Sequence, residues 1–311
     1  MKTSTLKRLA FKSIPWVFYG LLLVFLVIYL QSIDLAKLQN VDIAWQYVLI
    51  ATGLGLGFRY WGAYIWVVLL RSLGATNVRL SRSLVYIYAK SWLGRYIPGT
   101  APWILGKIYF ASKQGISKNK LAVSSLLEGA LQIIVQFLFA LALLAFDPRL
   151  DVIPGEVKGI ILIGIVGCIV ALIPTVFNRL IAAAYRLIKK KQFSTEHYAS
   201  SRTISKGFGL YVVGALMSSL SLFFIAKAFY PELSYDQLFF VMGVGTLAGA
   251  VSMVAVFAPS GIGVREGIQL VLLSIIMPTE IALVVTIATR LWSVLVDGLF
   301  FGLAWLMRTK L

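Results

Sequence analysis

Long apolar runs separated by charged segments constrain this chain more than any other feature. Residues 121–146, 207–229 and 281–307 are each long enough to cross a bilayer as a helix, which takes about 20 residues. Hydrophobic residues make up 59% of the chain and charged residues only 13%, too few polar side chains to cover a water-soluble domain. We therefore predict an all-α polytopic membrane protein, with residues 1–311 forming one integral membrane domain.

About six full transmembrane helices are predicted. The first apolar run follows a basic stretch and is not followed by a small-x-small cleavage site, which favours a retained signal anchor over a cleaved signal peptide. The predicted spans are residues 16–30, 44–70, 121–146, 159–178, 207–229 and 281–307.

Two further apolar segments are interrupted by proline and glycine. The first, residues 83–112, breaks at Pro98-Gly99, and the second, residues 237–277, breaks at Pro259-Ser260-Gly261. Proline ends a helix and glycine lets the backbone bend. Because the halves of the first segment are too short or too polar to span, and the second has the same pattern, we interpret both as re-entrant helical hairpins.

The distribution of charge sets the expected orientation. The net charge of +17 comes from lysine and arginine in loops, where it determines topology and meets anionic lipid rather than nucleic acid. The positive-inside rule places both termini in the cytoplasm, and the expected location is a prokaryotic cytoplasmic membrane. The hairpins then enter from opposite faces, so residues 44–146 and 207–307 form an inverted repeat, an architecture of many transporters.

Four ionisable residues fall inside predicted spans: Arg59, Glu128, Arg290 and Asp297. Each costs about 2.5–3.5 kcal/mol at the centre of a membrane helix, so they must be paired or hydrated. We expect Glu128 and Asp297 to face Arg290, Arg265 or Arg59 around a central polar pocket. The alternative is a static ion-pair network that only holds the helices together.

The helix starts after the two breaks suggest an anion site. Free N–H groups and the positive end of the helix dipole attract phosphate, and glycines allow close approach. The alternative is that proline and glycine only break helices in a crowded bundle, while the cations extend to the interface. The candidate lipid- and anion-binding residues are Arg95, Gly99, Lys107, Ser260, Gly261, Gly263, Arg265 and Glu266.

The sequence offers little for metal or cofactor chemistry. Cys168 is the single cysteine and His197 the single histidine, and the carboxylates show no metal-binding spacing. No metal site, cofactor or catalytic residue is predicted.

Two motifs resemble the transmembrane family named after the membrane domain of lysylphosphatidylglycerol synthase, which is described as flippase-like. The first comprises Gly94-Arg95, Pro98-Gly99, Gly106-Lys107 and Gly115-Ile116-Ser117; the second is Ala258-Pro-Ser-Gly-Ile-Gly-Val-Arg-Glu266. The resemblance covers most of residues 15–307. It implies a membrane protein that moves or presents anionic lipids or lipid-linked intermediates between leaflets. The soluble aminoacyl-transferase domain of the full-length synthases is not expected here.

Three functions remain open. A non-enzymatic lipid translocator explains the hairpins, the buried charges and the helix-end anion sites together. A non-transporting partner of a lipid- or glycan-modifying envelope enzyme shares the same fold. A membrane-embedded lipid transferase needs a nucleophile or base beside a metal or phosphate clamp, and is the least supported.

Overall fold

The computed structural model describes residues 42–96, 101–145, 147–150, 155–189, 192–255, 261 and 263–308. Within these ranges every regular element is a helix. The α-helices are α1 (Trp45–Ser72), α2 (Arg82–Trp92), α3 (Ala101–Ser112), α4 (Lys118–Ala145), α5 (Gly155–Ala171), α6 (Pro174–Lys189), α7 (Ser201–Phe229), α8 (Leu238–Val254), α9 (Val264–Leu273) and α10 (Thr279–Leu306).

Five helical segments of the described chain are long and apolar enough to cross a membrane: those containing α1, α4, α7, α8 and α10. A sixth is added if the bent pair α5 and α6 counts as one span. The all-helical membrane fold is therefore confirmed. The predicted first span, residues 16–30, lies outside the described residues.

The predicted span 159–178 differs from the structure. Helix α5 ends at Ala171, and α6 begins at Pro174 with its axis turned by 86°. Proline lacks the N–H that would continue the ladder of the preceding helix, and it is favoured at the first position of a new one. Helix α6 then extends to Lys189, beyond the end of the predicted span. Its Phe177 and Ile181, one turn apart, are buried in an apolar cluster with residues of α1, α4 and α7.

The two arms of the first broken segment lie side by side. A Cβ added at Gly94 would come within 2.9 Å of the Trp103 backbone nitrogen, and one added at Gly106 would come within 3.1 Å of the Ser91 hydroxyl. These close approaches run in antiparallel order, so α2 and α3 form an antiparallel helical hairpin.

The second broken segment also folds back on itself. Helices α8 and α9 bury apolar residues in one cluster, which contains Val241 and Leu273. At the break, Gly261 has a φ of +68° and Gly263 a φ of +85°, in the left-handed region that glycine tolerates. A Cβ at Gly261 would lie only 2.3 Å from the Cβ of Ser252.

The Gly261→Ala variant should therefore be destabilised by about 1–3 kcal/mol, because the added methyl group overpacks α8 and strains the turn. Gly267→Ala is the matched control, since a Cβ there meets nothing within 4 Å. Unfolding in detergent, followed by tryptophan fluorescence, measures the difference. Equal stability of the two variants would show that the tight crossing at Gly261 is not needed.

The order of elements occurs twice in the described chain. A long helix, two hairpin helices and another long helix occur as α1 to α4 and again as α7 to α10. Insertion of the hairpins from opposite membrane faces, and hence the inverted repeat, stay predictions.

Candidate functional site

The helices α1 to α4 and α7 to α10 are the two repeated units of the described chain. A polar cavity of about 70 Å³ lies among the helices of both units. It is lined by Arg59, Gln132 and Ser293, which occupy the centres of α1, α4 and α10. We call it the arginine cavity, because Arg59, Arg95 and Arg265 all line it. These residues come from a long helix, the first hairpin and the second hairpin, so the site depends on the whole fold.

Asp297, on α10, is the carboxylate beside the cavity. Its Oδ1 accepts hydrogen bonds from Arg59 Nε at 2.7 Å and Trp92 Nε1 at 3.0 Å. Its Oδ2 accepts from the Tyr96 hydroxyl at 2.6 Å. A buried charge is tolerated when it is paired and its remaining lone pairs are bonded. Asp297 therefore joins α10 to α1 and to the tip of the first hairpin.

Each nitrogen of the Arg59 guanidinium donates a hydrogen bond within the protein. Beyond Asp297, its Nη1 donates to the Gly55 carbonyl at 3.2 Å and its Nη2 to the Ser293 hydroxyl at 3.1 Å. The guanidinium also lies 5.8 Å from the ring centroids of Phe58 and Trp292. Arg59 thus contributes its positive charge to the cavity, while all three of its nitrogens already donate to groups of the protein.

Lys107, on α3, pairs with a different carboxylate. Its ammonium donates to Glu128 Oε2, and the Tyr88 hydroxyl donates to Glu128 Oε1 at 3.2 Å. The Lys107 side chain is 0% exposed, and its Nζ lies 3.9 Å from the ring centroid of Trp103. Aromatic faces stabilise a desolvated cation. This pair is enclosed within the bundle and does not line the arginine cavity.

Glu266 stabilises the start of α9. Its Oε2 accepts from the Gly263 backbone N–H at 2.7 Å, which caps the helix start. Its Oε1 lies 3.6 Å from Arg290 Nη1 on α10. Glu266 therefore holds the second hairpin in place and joins it to the following long helix.

Both units contain an ion pair between the second arm of the hairpin and the next long helix, but the positions of the positive and negative charges are exchanged. In the first unit, Lys107 on the second hairpin arm meets Glu128 on the next long helix. In the second unit, Glu266 on the second arm meets Arg290 on the next long helix. Each hairpin is thus fastened to the long helix that follows it.

Two arginines differ from these engaged charges. Within the described part of the chain, neither Arg95 nor Arg265 forms an ion pair with a carboxylate. Arg95 stacks 4.4 Å from the Trp92 ring centroid, which orients its guanidinium beside the cavity. Arg265 interacts favourably with the charge of Glu266 and unfavourably with those of Arg59 and Arg95. Like charges held together in a membrane interior are costly.

The described charges in this region leave an excess of positive charge. Five cations accompany only three carboxylates. Each carboxylate already forms an ion pair, with Arg59, Lys107 or Arg290. The arrangement can bind an anion through Arg95 and Arg265. The cations are Arg59, Arg95, Lys107, Arg265 and Arg290, and the carboxylates are Glu128, Glu266 and Asp297.

The structure brings only some of the candidate residues to the cavity. Arg59, Arg95 and Arg265 line the cavity, and Glu128 faces Lys107 rather than the expected arginines. Gly99 and Ser260 lie outside the described residues. Gln132 and Gln136, one helical turn apart on α4, also line the cavity.

Several groups that contribute to the site were not among the predicted residues. Trp92 and Tyr96 bind Asp297, while Ser218, Ser221 and Ser252 line the cavity. Aromatic residues and serines are common in membrane helices and gave no specific signal. Among the residues with described positions, no group of three histidine, cysteine, aspartate or glutamate side chains is arranged to hold a metal ion.

The comparisons define the class of protein. The sequence profile described as the lysylphosphatidylglycerol synthase TM region matches residues 16–300. The chain therefore belongs to this family of helical membrane proteins, which is associated with lipid handling. Comparison with curated proteins and with solved structures finds no match.

Proposed function

We propose that the protein translocates an anionic phospholipid or lipid-linked intermediate between leaflets, or presents it to a partner, with the headgroup phosphate held in the arginine cavity. One observation carries the proposal. Arg95 and Arg265, from the two hairpins, line a cavity at the level of the helix centres and have no carboxylate bound to them in the described chain. Phosphate oxygens are suited to the forked donors of arginine.

The electrostatics favour such a ligand. At 4 Å and an effective dielectric constant near 20, opposite unit charges attract by about 4 kcal/mol. A phosphate bridging Arg95 and Arg265 would also reduce their mutual repulsion. An anion therefore gains from a charge arrangement that is costly without one.

The cavity volume restricts what enters. The cavity of about 70 Å³ has room for more than a single water molecule. It can admit a phosphate group, whereas acyl chains must stay outside among the apolar faces of the helices. This division suits a lipid whose headgroup crosses through the protein while its tails remain in the bilayer.

The proposal predicts leaflet exchange. Liposomes containing the purified protein should exchange a fluorescent anionic phospholipid between leaflets faster than empty liposomes, as measured by dithionite quenching. A labelled phosphatidylcholine is the control, because its quaternary ammonium is repelled by the excess cations. Equal rates with and without protein, for several anionic headgroups, would exclude autonomous translocation.

The other two functions give different results in the same preparation. A protein that only presents lipid would bind the anionic phospholipid without accelerating its exchange. A transferase would produce a new lipid species, which mass spectrometry of the extracted lipids would detect. We propose a non-enzymatic role, so the lipid composition should be unchanged.

A further inference from the structure

Helix α6 (Pro174–Lys189) is held firmly against the helix bundle along one face. Phe177 and Ile181 are buried in an apolar cluster with residues of α1, α4 and α7. The Asn178 amide nitrogen donates to the Ala199 carbonyl at 2.9 Å, and the Asn178 amide oxygen accepts from the Ala199 N–H at 2.8 Å. These contacts fix the rotation of α6 about its axis, and hence which of its residues face outward.

The outward side of α6 carries two adjacent stripes of different chemistry. Leu180 and Leu187, which are 50% and 83% exposed, lie about two turns apart on one stripe. Arg179 and Arg186 are exposed at the same spacing, about 100° around the helix from the leucines. Helix α6 contains no aspartate or glutamate. Its outward side is therefore apolar along one edge and cationic along the next.

The preceding helix determines how this side meets a membrane. Helix α5 (Gly155–Ala171) has 17 residues, and a membrane-spanning helix needs about 17–25. Its Ile163 and Val166 are 73% and 58% exposed, as apolar residues that face lipid are. Because α6 turns away from α5 by 86°, α6 lies nearly parallel to the bilayer surface when α5 crosses the bilayer.

The pattern of α6 matches the boundary between lipid headgroups and acyl chains. In such a helix the apolar side chains enter the acyl region, and the cations beside them attract anionic lipid. Exposed apolar residues occur on both sides of the bend, with Ile169 and Ile173 before it and Leu180 after it. This continuity with the lipid-facing surface of α5 favours a bilayer over an acidic protein as the partner of α6.

We propose that α6 binds the anionic surface of the leaflet beside the α5–α6 bend, with Leu180 and Leu187 among the acyl chains and Arg179 and Arg186 on lipid phosphates. None of the residues that line the arginine cavity lies on α6. The two sites are therefore separate, and this one does not depend on the proposed function. Binding at α6 holds the helix, and the bundle to which it is fixed, at a defined depth in the leaflet.

Spin-labelled lipids can measure which lipids surround α6. Cys168→Ala removes the single cysteine, and Leu187→Cys then carries a nitrobenzoxadiazole fluorophore. The labelled protein is reconstituted in phosphatidylcholine liposomes with a minor fraction of doxyl-labelled phosphatidylglycerol or doxyl-labelled phosphatidylcholine. Both lipids should quench the fluorophore, and the apparent association of phosphatidylglycerol should be about fivefold stronger, the effect of one cation near an anionic lipid.

The double variant Arg179→Gln with Arg186→Gln should lose this preference while both lipids still quench the label, because the leucines still enter the bilayer. The matched control, Arg202→Gln with Lys206→Gln, removes two exposed cations near the start of α7. It should retain the fivefold preference. A fluorophore at Leu295→Cys, a position 67% exposed on α10, should show no preference between the two lipids.

Several results would overturn the inference. If neither lipid quenches the label at position 187, α6 lies outside the bilayer. Equal quenching by the two lipids, or a preference that the Arg179 and Arg186 variant retains, would show that these arginines do not bind anionic lipid. Loss of the preference in the Arg202 and Lys206 control would attribute it to the net charge of the protein rather than to α6.

Discussion

Replacing Arg265 by alanine is expected to slow exchange of an anionic phospholipid by about 10–100-fold without destabilising the protein. A hydrogen bond to a charged group contributes about 1.5–3 kcal/mol, which corresponds to this range. Stability should be nearly unchanged, because Arg265 has no carboxylate hydrogen-bonded to it in the described chain, and its favourable interaction with the charge of Glu266 is opposed by unfavourable ones with Arg59, Arg95 and Arg290. Dithionite quenching in liposomes measures exchange, and thermal unfolding in detergent measures stability.

Two controls make the result specific to the cavity. Arg265→Lys keeps the charge but loses the forked donor geometry, so exchange should fall to an intermediate rate. Arg149→Ala removes an arginine that binds Asp147 and Asp236 away from the cavity, and exchange should be unchanged. If Arg265→Ala exchanges lipid at the normal rate, or unfolds at a clearly lower temperature, Arg265 acts in packing rather than in binding.

The Lys107→Met variant is expected to lose about 3–5 kcal/mol of stability. The substitution preserves side-chain length but leaves the Glu128 carboxylate buried without its cation. Denaturant unfolding in detergent, followed by tryptophan fluorescence, is the measurement. The exposed Lys113→Met variant is the control and should cost less than about 0.5 kcal/mol.

The double variant Lys107→Met with Glu128→Gln should regain most of the lost stability, since it removes both charges together. Its leaflet exchange should also approach the normal rate, because the pair lies outside the arginine cavity. A stable Lys107→Met protein that no longer binds anionic lipid would contradict this account. It would place Lys107 among the residues that contact the ligand.

The sequence predicted the long helices well, because membrane spans are set by local composition. The predicted span 207–229 lies within Ser201–Phe229, and 281–307 corresponds to Thr279–Leu306. The bend at Pro174 was not predicted, because residues 159–178 are mostly apolar on both sides of the proline. The clue was the periodicity after the proline, where Phe177 and Ile181 lie one turn apart on a buried face.

The site could be predicted only in part. The free-energy cost of a charged side chain inside a membrane helix was enough to identify Arg59 and Asp297 as paired or functional residues. Their contact could not be predicted, because they are 238 positions apart in the chain and meet only through tertiary packing. Glu128 was expected to face an arginine, and its partner is Lys107 from the neighbouring hairpin.

The central claim is that Arg95 and Arg265 hold a lipid phosphate in the arginine cavity. Cryo-electron microscopy of the protein in nanodiscs, prepared once with phosphatidylglycerol and once with phosphatidylcholine alone, tests it most directly. We expect tetrahedral density about 3 Å from both guanidinium groups in the phosphatidylglycerol nanodiscs, and none in the phosphatidylcholine nanodiscs. A cavity that is identical in the two maps, or one in which a carboxylate of the protein occupies the space between Arg95 and Arg265, would contradict the account.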